Sequence, residues 1–308
     1  MRVFVAGATG AIGQPLVRQL LEAGHEVTGM TRSAAKGEEL RAAGATPVVA
    51  DALDADAVRR AMVEAAPEAV VHQLTDLPRD FSMRYGYGAT SELRTRGTDN
   101  LLAGAREARA RRFVAQSIAF IYATEGGPVK DEDAPTLSVG DGAFGEAVRA
   151  TLECERKTVE AEGMDGLALR YGFFYGPGTW YARGTKMADA VRKRRFPIVG
   201  EGTGVFPFIH VDDAASATVA ALERGAPGVY NVVDDEPAPM SEWLPGFAEA
   251  LGAKPPRRVP LWLARILAKH NAEMSVSMRG ASNAKAKREL GWQPRYASWR
   301  EGFREGLG

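Results

Sequence analysis

Three glycines spaced three residues apart separate a short apolar run from a helical pattern near the N-terminus, in the stretch VFVAGATGAIG. Residues 3–6 predict a buried strand, and apolar residues at helical spacing follow until Gly24. Gly7, Gly10 and Gly13 offer no side chain, so the backbone can turn tightly and a pyrophosphate can approach the amides at the helix N-terminus. The motif predicts a dinucleotide-binding strand, turn and helix.

Strand-like runs alternate with helical patterns through the first 171 residues. The runs after the first are residues 26–30, 46–50, 68–73, 112–117 and 167–171. Such alternation predicts an α/β fold with a Rossmann-type, doubly wound parallel sheet. The chain has 308 residues, 45% of them hydrophobic, which is enough to build a full core around that sheet.

Charge and cysteine content exclude several classes of partner. The 39 basic residues balance 39 acidic ones, so the chain lacks the basic surface that nucleic acid or an anionic membrane requires. A single cysteine, Cys154, excludes an intramolecular disulfide, and the four scattered histidines lack zinc-site spacing. No apolar stretch is long enough to span a bilayer, and no export signal is evident. We predict a cytoplasmic monomer or homodimer that binds a small molecule and no metal.

The residues after the second run predict which dinucleotide is bound. NAD-binding folds place an acidic residue there for the ribose hydroxyls, whereas this chain has Arg32 followed by Ser33. A guanidinium suits the 2′-phosphate of NADPH, with Ser33 and Lys36 as additional donors. A solvated loop arginine and use of NADH are the alternatives. Asp51 is placed either for the adenine edge or to cap the helix that begins at Ala55.

Motifs along nearly the whole chain resemble those of the extended short-chain dehydrogenase/reductases, the group of nucleotide-sugar epimerases and dehydratases. They are GATGAIG at 7–13, DAL at 51–53, VVHQLT at 70–75, GTDNLLAGARE at 97–107, LRYGFFYGPGT at 169–179, FIHVDDAA at 208–215, VYNVVDDEP at 229–237 and AKRELGWQP at 286–294. The resemblance implies an NAD(P)-binding domain of residues 1–171 and 207–232. Residues 172–206 and 233–308 would form a smaller substrate-binding part.

The resemblance also implies a set of cofactor contacts. The pyrophosphate would lie on the glycine turn, the phosphorylated ribose beside Arg32, and the nicotinamide beside residues 171–174. The complete set is Gly7, Thr9, Gly10, Ala11, Ile12, Arg32, Ser33, Asp51, Ala52, Gln73, Leu74, Thr75, Ser117, Tyr171, Gly172, Phe173 and Phe174.

This chain departs from the family at the residues that carry proton chemistry. The family uses an Asn, a Ser or Thr, and a Tyr-x-x-x-Lys pair whose side chains share one helix face. The chain has no such pair, and matching LECERKTVE to the family puts Ala147 at the tyrosine position and Thr151 at the lysine position. Arg94 stands at the asparagine position, and Ile118 at the serine position, one residue after Ser117.

A nucleotide fold without its usual proton donor leaves three hypotheses. The first is an atypical ketoreductase that transfers hydride from NADPH to a small-molecule ketone. The pattern resembles the ketoreductases of polyketide antibiotic tailoring, of the simocyclinone pathway type, which lack the same tetrad; a hydroxylated aromatic polyketide could supply its own proton. The second is a redox-inactive NADP-binding sensor or scaffold. The third, a sugar-nucleotide epimerase or dehydratase, needs the missing pair most.

Several side chains could replace the missing acid. Ser117 and Tyr122 are the candidate catalytic residues. Ser117 and Thr75 lie at the carboxyl ends of predicted strands, and Tyr122, Tyr85 and Tyr87 lie on the loops that follow, although each could instead pack or line the cofactor site. Residues 76–97 predict a substrate loop.

Other conspicuous side chains have simpler interpretations. His72 is interpreted as a core histidine. His210 with Asp212 and Asp213 is interpreted as a structural helix start. Apolar walls for a planar substrate, or ordinary packing, are predicted for Trp180, Trp262, Met274 and Met278.

Overall fold

The computed structural model describes residues 1–78, 80, 86–138, 140, 142–268 and 270–308. Its strands are β1 (Arg2–Ala6), β2 (Glu26–Thr31), β3 (Thr46–Val49), β4 (Ala69–His72), β5 (Arg112–Ile118), β6 (Val129–Lys130), β7 (Asp165–Tyr171), β8 (Phe173–Tyr175), β9 (Ile198–Val199), β10 (Val205–Phe206), β11 (Phe208–His210), β12 (Gly228–Val232), β13 (Ala238–Pro239), β14 (Arg258–Val259) and β15 (Gly280–Ala281).

The helices follow the strands in the order that the sequence pattern predicts. They are α1 (Gly13–Glu22), α2 (Ala34–Ala42), α3 (Ala55–Ala65), α4 (Gly88–Glu92), α5 (Thr98–Glu107), α6 (Gly142–Val159), α7 (Lys186–Arg192), α8 (Val211–Glu223), α9 (Met240–Ala250), α10 (Leu261–Ala268), α11 (His270–Ser277), α12 (Ala284–Leu290) and α13 (Trp299–Glu305). A π-helical turn, Leu93–Gly97, joins α4 to α5. No helix of the described part is long and apolar enough to cross a membrane.

Seven of the strands form one parallel sheet in the order β12-β7-β5-β4-β1-β2-β3. The chain leaves β1 in one direction to build β2 and β3, and returns to the other side of β1 to build β4. Ligands of such sheets bind where the strand order reverses, at the carboxyl ends of the strands. The predicted doubly wound sheet is confirmed, and its reversal between β1 and β4 defines the edge where a dinucleotide would lie.

Both faces of the sheet are covered because the strand side chains alternate between two apolar layers. Val3 and Val5 of β1 pack with α1 and α8, while Phe4 and Ala6 pack with α3 and α5. These four side chains are almost completely buried. A strand buried on both faces reads as a continuous apolar run, which is the pattern of residues 3–6.

A separate aromatic cluster holds the C-terminal elements together. Tyr181, Phe208, Trp243, Phe247 and Phe303 meet there, with ring centroids of Phe208 and Trp243 at 5.3 Å. Large aromatic rings contribute strongly to such a core through their buried area. Tyr181, Trp243, Phe247 and Phe303 come from the segments that the sequence assigns to the substrate-binding part, and Phe208 comes from the segment 207–232 assigned to the NAD(P)-binding domain. The division into domains stays a prediction.

Candidate functional site

The three glycines of the turn after β1 have different surroundings. Gly7 has φ +91°, and a Cβ there would lie 2.7 Å from the carbonyl oxygen of Gln73. A Cβ at Gly13 would lie 2.2 Å from the carbonyl oxygen of Gly7. At Gly10 that same oxygen lies 3.4 Å away and, apart from the two neighbouring residues, is the one atom of the described residues within 4 Å. The first and third glycines therefore allow close packing, and the middle one borders open space suited to a phosphate.

The helix that follows the turn provides the positive end of a dipole. α1 begins at Gly13, and the N-cap residue Ile12 has no side-chain acceptor for the first amides. Helix N-termini leave such amides without intrahelical partners and attract anions. Ile12 is 4% exposed, so its side chain belongs to the core and its contact with a phosphate would be made by the backbone. The geometry fits the pyrophosphate of a dinucleotide.

Arg32 lies directly after β2, beside the glycine turn. Its Nη2 donates to Asp76 Oδ1 at 3.0 Å, and the two side chains are 62% and 46% exposed. Exposed ion pairs contribute about 1 kcal/mol or less, so a 2′-phosphate can compete for this guanidinium. Ser33 is the N-cap of α2 and accepts from the backbone N–H of Lys36 at 3.4 Å. The exposed guanidinium of Arg32 and the adjacent N-cap Ser33, at the end of β2, therefore fit a phosphorylated ribose.

Asp51, the first acidic residue after β3, does not cap the next helix. Asp54 caps α3 by accepting from the N–H of Ala57 at 3.0 Å, whereas Asp51 accepts from the N–H of Leu53 at 3.0 Å. The capping alternative for Asp51 is therefore wrong, because the extended residue next to the helix is Asp54. Asn100 Nδ2 fixes the adjacent loop by donating to the carbonyl of Ala52 at 2.8 Å. Adenine contact by Asp51 and Ala52 stays a prediction.

The side chain that follows β4 turns into the core. Gln73 Nε2 donates to the Tyr171 hydroxyl at 3.1 Å, and that hydroxyl is 2.6 Å from Thr218 Oγ1. Burial raises the pKa of Tyr171 to about 12, although both hydrogen bonds oppose the shift. Gln73 and Tyr171 are 4% and 0% exposed, so any contact of these two residues with a cofactor would be made by their backbones.

His72 is a structural residue that shapes the cofactor loop. Its Nδ1 accepts from the N–H of Leu74 at 3.2 Å, which leaves Nε2 to donate to Thr98 Oγ1 at 3.1 Å. Burial, assisted by the charge of Arg94, lowers the pKa of His72 to about 4. The neutral ring confirms the interpretation of a core histidine.

Two of the departures from the family contact each other. Arg94 Nη1 donates to Thr151 Oγ1 at 2.6 Å, and the Thr151 hydroxyl donates to the carbonyl of Ala147 at 2.8 Å. Arg94, Ala147 and Thr151 are 7%, 6% and 0% exposed. A guanidinium from the π-helical turn thus reaches the position where the family has its lysine. The chain gives no local signal of this contact, because its partners are 57 residues apart.

Ser117, one candidate acid, is bonded to a buried ion pair. Its hydroxyl donates to Glu155 Oε1 at 2.5 Å, and Arg170 binds both oxygens of that carboxylate at 2.7 Å. Burial disfavours the charge on Arg170, but the bonds to Glu155 outweigh it and raise the pKa of the guanidinium. The hydroxyl hydrogen of Ser117 is directed into the protein.

Tyr122, the other candidate, belongs to the same network. Its hydroxyl donates to Asn231 Oδ1 at 2.6 Å and accepts from Arg170 Nη1 at 2.9 Å. Burial raises the pKa of Tyr122, although the charge of Arg170 opposes this shift. A neutral phenol whose hydrogen is already bonded is poorly placed to protonate a ligand.

A cavity of about 120 Å³ opens beyond the carboxyl end of β5. Its apolar walls include Phe120, Phe144, Met274 and Met278, so two of the predicted wall residues, both methionines, line it. The rings of Phe120 and Phe173 stack with centroids 4.3 Å apart, which connects the cavity to residues 171–174.

The other predicted wall and loop residues do not line this cavity themselves or lie outside the described residues. Trp262 is 64% exposed on α10, and Trp180 Nε1 donates to the carbonyl of Pro78 at 2.9 Å. Tyr87 contacts Phe144 edge-on at 6.1 Å. The candidate Tyr85 lies outside the described residues.

Two backbone segments approach each other closely at residues 171–174, the stretch predicted to border the nicotinamide. A Cβ on Gly172 would lie 2.7 Å from the carbonyl oxygen of Pro207, so only glycine fits between β7 and β8. The N–H of Phe173 donates to that same carbonyl at 2.7 Å. This bond holds Phe173 and Phe174 half-buried at the edge of the sheet.

The acidic pair at the start of α8 is structural, as interpreted from the sequence. His210 Nδ1 accepts from the N–H of Asp212 at 3.1 Å, and Asp213 accepts from the N–H groups of Arg295 and Tyr296 at 2.7 and 3.0 Å. Among the described residues, no group of three His, Cys, Asp or Glu side chains could hold a metal ion.

Replacing Arg32 with Ala should weaken NADPH binding by about 10- to 100-fold, the loss of one charge-assisted hydrogen bond worth about 1.5–3 kcal/mol. NADH binding should be unchanged, because NADH lacks the 2′-phosphate. Fluorescence titration with both cofactors measures the ratio. Arg41→Ala is the matched control, since Arg41 is equally exposed and pairs with Glu38 on α2. An unchanged preference in Arg32→Ala would place the 2′-phosphate elsewhere.

The model of the NAD dependent epimerase/dehydratase family matches residues 3–232. A Streptomyces protein named 3-diazoavenalumate denitrifying reductase is 48% identical over 307 residues, covering 98% of this chain and 99% of its own. The 2-alkyl-3-oxoalkanoate reductase of Stenotrophomonas maltophilia is 28% identical, covering 82% and 76%. A UDP-glucose 4-epimerase structure from Thermotoga maritima superposes with TM-score 0.79 at 22% identity, covering 100% and 97%.

Proposed function

The chain belongs to the NAD dependent epimerase/dehydratase family and is an NAD(P)H-dependent oxidoreductase, and from this premise we propose hydride transfer from NADPH to a ketone of a small molecule. One observation carries the proposal. The glycine turn before α1 leaves Gly10 open to a ligand, while Ala147 and Thr151 occupy the positions of the family's proton-transfer pair. The chain keeps what positions a hydride donor and lacks what an epimerase or dehydratase uses to move protons.

The residues present hold and orient the cofactor, which supplies the hydride when bound. Gly10 and the N-terminus of α1 would hold the pyrophosphate, and Arg32 the 2′-phosphate. The backbone around Gly172 would border the nicotinamide. Holding two reactants in near-attack geometry can remove about 7–11 kcal/mol of barrier, so hydride transfer can proceed without the tyrosine.

The proton for the ketone oxygen needs another source. Reducing a ketone adds hydride to carbon and a proton to oxygen, yet Ser117, Tyr122 and Thr151 each direct their hydroxyl hydrogen to an internal acceptor. We propose that a hydroxyl next to the carbonyl on the substrate, or solvent, supplies the proton. A catalytic role for Ser117 or Tyr122 stays a prediction and requires these internal bonds to exchange.

A second acceptor is favoured by the 48% identical relative, which is named a denitrifying reductase of a diazo compound. When hydride reaches the carbon of an aryl diazonium group, the C–N bond breaks, a C–H bond forms and N₂ leaves with the bonding electrons. No proton is added. A reaction that needs no proton also suits a site where Ala147 and Thr151 replace the family's tyrosine and lysine. A diazo-substituted aromatic compound is therefore our second candidate substrate.

NADPH deuterated at the transferable position of C4 tests both candidates. We expect deuterium on the product carbon of an aromatic ketone that carries a neighbouring hydroxyl. Methylation of that hydroxyl should slow the reaction by about 10²- to 10⁴-fold, the contribution of a general acid. An aryl diazonium compound should release one N₂ per NADPH at a rate that the methylation does not change.

The contrary outcomes select between the remaining hypotheses. Tight NADPH binding with no label transfer to either class of acceptor would support the sensor or scaffold. A single substitution at Ser117 or Tyr122 that lowers kcat by about 10²-fold or more, with both ligands still bound, would identify a dedicated acid. Monomer or homodimer and a cytoplasmic location stay predictions that gel filtration and cell fractionation test.

A further inference from the structure

The cavity beyond β5 carries a guanidinium as well as apolar walls. Arg279 follows α11 and lines the cavity together with Phe120, Met274 and Met278. Aromatic and thioether side chains suit the faces of a flat ring, because both present broad and polarisable apolar surface. The cavity therefore combines apolar walls with a cationic residue, Arg279.

Arg279 is held in place by uncharged acceptors. Its Nε and Nη2 donate to the carbonyl of Thr124 at 3.0 and 2.8 Å, and its Nη1 donates to the carbonyl of Ser277 at 3.0 Å. Within the described part of the chain, no carboxylate lies within ion-pair distance of this guanidinium. Glu273, the carboxylate on the cavity wall, bonds instead to Arg265 Nε at 2.6 Å. The carbonyls hold Arg279 in a fixed position, and the carboxylates that the structure describes do not neutralise its charge.

The cavity adjoins the end of the site where hydride would be delivered. Phe120 stacks on Phe173 at 4.3 Å with an interplanar angle of 15°, and Phe173 belongs to the stretch predicted to border the nicotinamide. A ring lying on Phe120 would therefore extend from Arg279 toward that stretch. Resting on the proposed function, we propose that Arg279 selects planar aromatic substrates that carry a carboxylate and anchors that carboxylate.

Binding of 4-hydroxycinnamate and of its methyl ester, each in the presence of saturating NADP⁺, tests this proposal by calorimetry. The two probes share the ring and differ in the charge. The wild-type protein should bind the acid at least about 10-fold more tightly than the ester, as expected for a charge-assisted hydrogen bond. Arg279→Gln should lose that preference by weakening the acid alone, and Arg279→Lys should keep most of it.

Arg288→Gln is the matched control, because Arg288 is 66% exposed and pairs with Glu289 away from this cavity. Its acid preference should equal that of the wild type. Thermal melting shows whether Arg279→Gln, which removes the bonds to the carbonyls of Thr124, Ser277 and Met278, stays folded. If it does not, the preference of the wild type and of Arg279→Lys decides the question.

Equal affinity of the wild type for acid and ester, or an undiminished preference in folded Arg279→Gln, would overturn the role of Arg279. Neither result touches the proposed function, which deuterium transfer to a neutral ketone tests separately. Conversely, acid-selective binding without any hydride transfer would overturn the proposed function and leave the carboxylate anchor standing.

Discussion

Gly10→Val abolishes NADPH binding while the protein stays folded; this is the expected result if the middle glycine of the turn borders the pyrophosphate. Among the described residues beyond its chain neighbours, a Cβ at Gly10 meets the carbonyl oxygen of Gly7 alone, at 3.4 Å, so this part of the protein can accommodate a side chain there. The added methyl groups would occupy the space that the phosphate needs. We expect the dissociation constant to rise by about 100-fold or more, a loss of about 2.7 kcal/mol, with the melting temperature nearly unchanged.

Gly13→Ala, at the next glycine of the motif, should instead lower the stability of the fold. Its Cβ would lie 2.2 Å from the carbonyl oxygen of Gly7 and 2.6 Å from the carbonyl carbon of Ala8, both backbone atoms that cannot rotate away. Overpacking of this kind costs about 1–3 kcal/mol, so unfolding should occur at a lower temperature. Titration of NADPH against both folded variants, with thermal melting, separates the two roles. Normal NADPH binding by Gly10→Val would show that the phosphate lies elsewhere.

Glu155→Ala should lower the free energy of unfolding by about 3–5 kcal/mol, because it leaves a buried guanidinium without its counter-ion. Glu155 and Arg170 are 6% and 5% exposed at their side chains and are joined by two bonds of 2.7 Å. The substitution also removes the acceptor of the Ser117 hydroxyl. Urea denaturation at neutral pH measures the change.

An exposed pair at the end of the same helix is the control for that prediction. Arg156 of α6 and Glu160, the residue after that helix, are 59% and 60% exposed and lie 2.7 Å apart. Glu160→Ala should therefore change the free energy of unfolding by about 1 kcal/mol or less. The double replacement Glu155→Leu with Arg170→Met should recover much of the loss, since a buried ion pair can often be exchanged for apolar residues. A loss below about 1 kcal/mol in Glu155→Ala would mean that the uncompensated charge of Arg170 reaches solvent.

The sheet and the glycine turn after β1 could be predicted because their signals are local. A buried parallel strand needs a continuous apolar run, and residues 3–6 show one. The three-residue spacing of Gly7, Gly10 and Gly13 follows from the geometry of a strand-to-helix turn. Arg32 directly follows β2, whose end is fixed by the same pattern, and its contact with the ribose stays a prediction.

The packing of each glycine in the turn, and the choice of the residue that caps α3, depended on the tertiary structure. The motif treats its glycines alike, yet the backbone of Gln73, on the loop after β4, decides that Gly7 is tightly packed. Likewise, the sequence offered two acidic residues before α3, and the extended backbone at Asp54 made it the cap in place of Asp51. A sequence pattern does not contain these distances, because they arise between elements that are far apart in the chain.

The sequence by itself determined that the family's tyrosine and lysine are absent, since Ala147 and Thr151 can be read directly from the chain. Only the tertiary structure showed that Arg94 donates a hydrogen bond to Thr151, 57 residues away, and that the Ser117 hydroxyl donates one to Glu155, 38 residues away. The physical reason is that a hydroxyl or guanidinium bonds to whatever the packing of helices against the sheet brings within about 3 Å. Local patterns fix strands, helices and turns, whereas the partner of a buried polar group is decided by how α6 packs against the π-helical turn, β5 and β7.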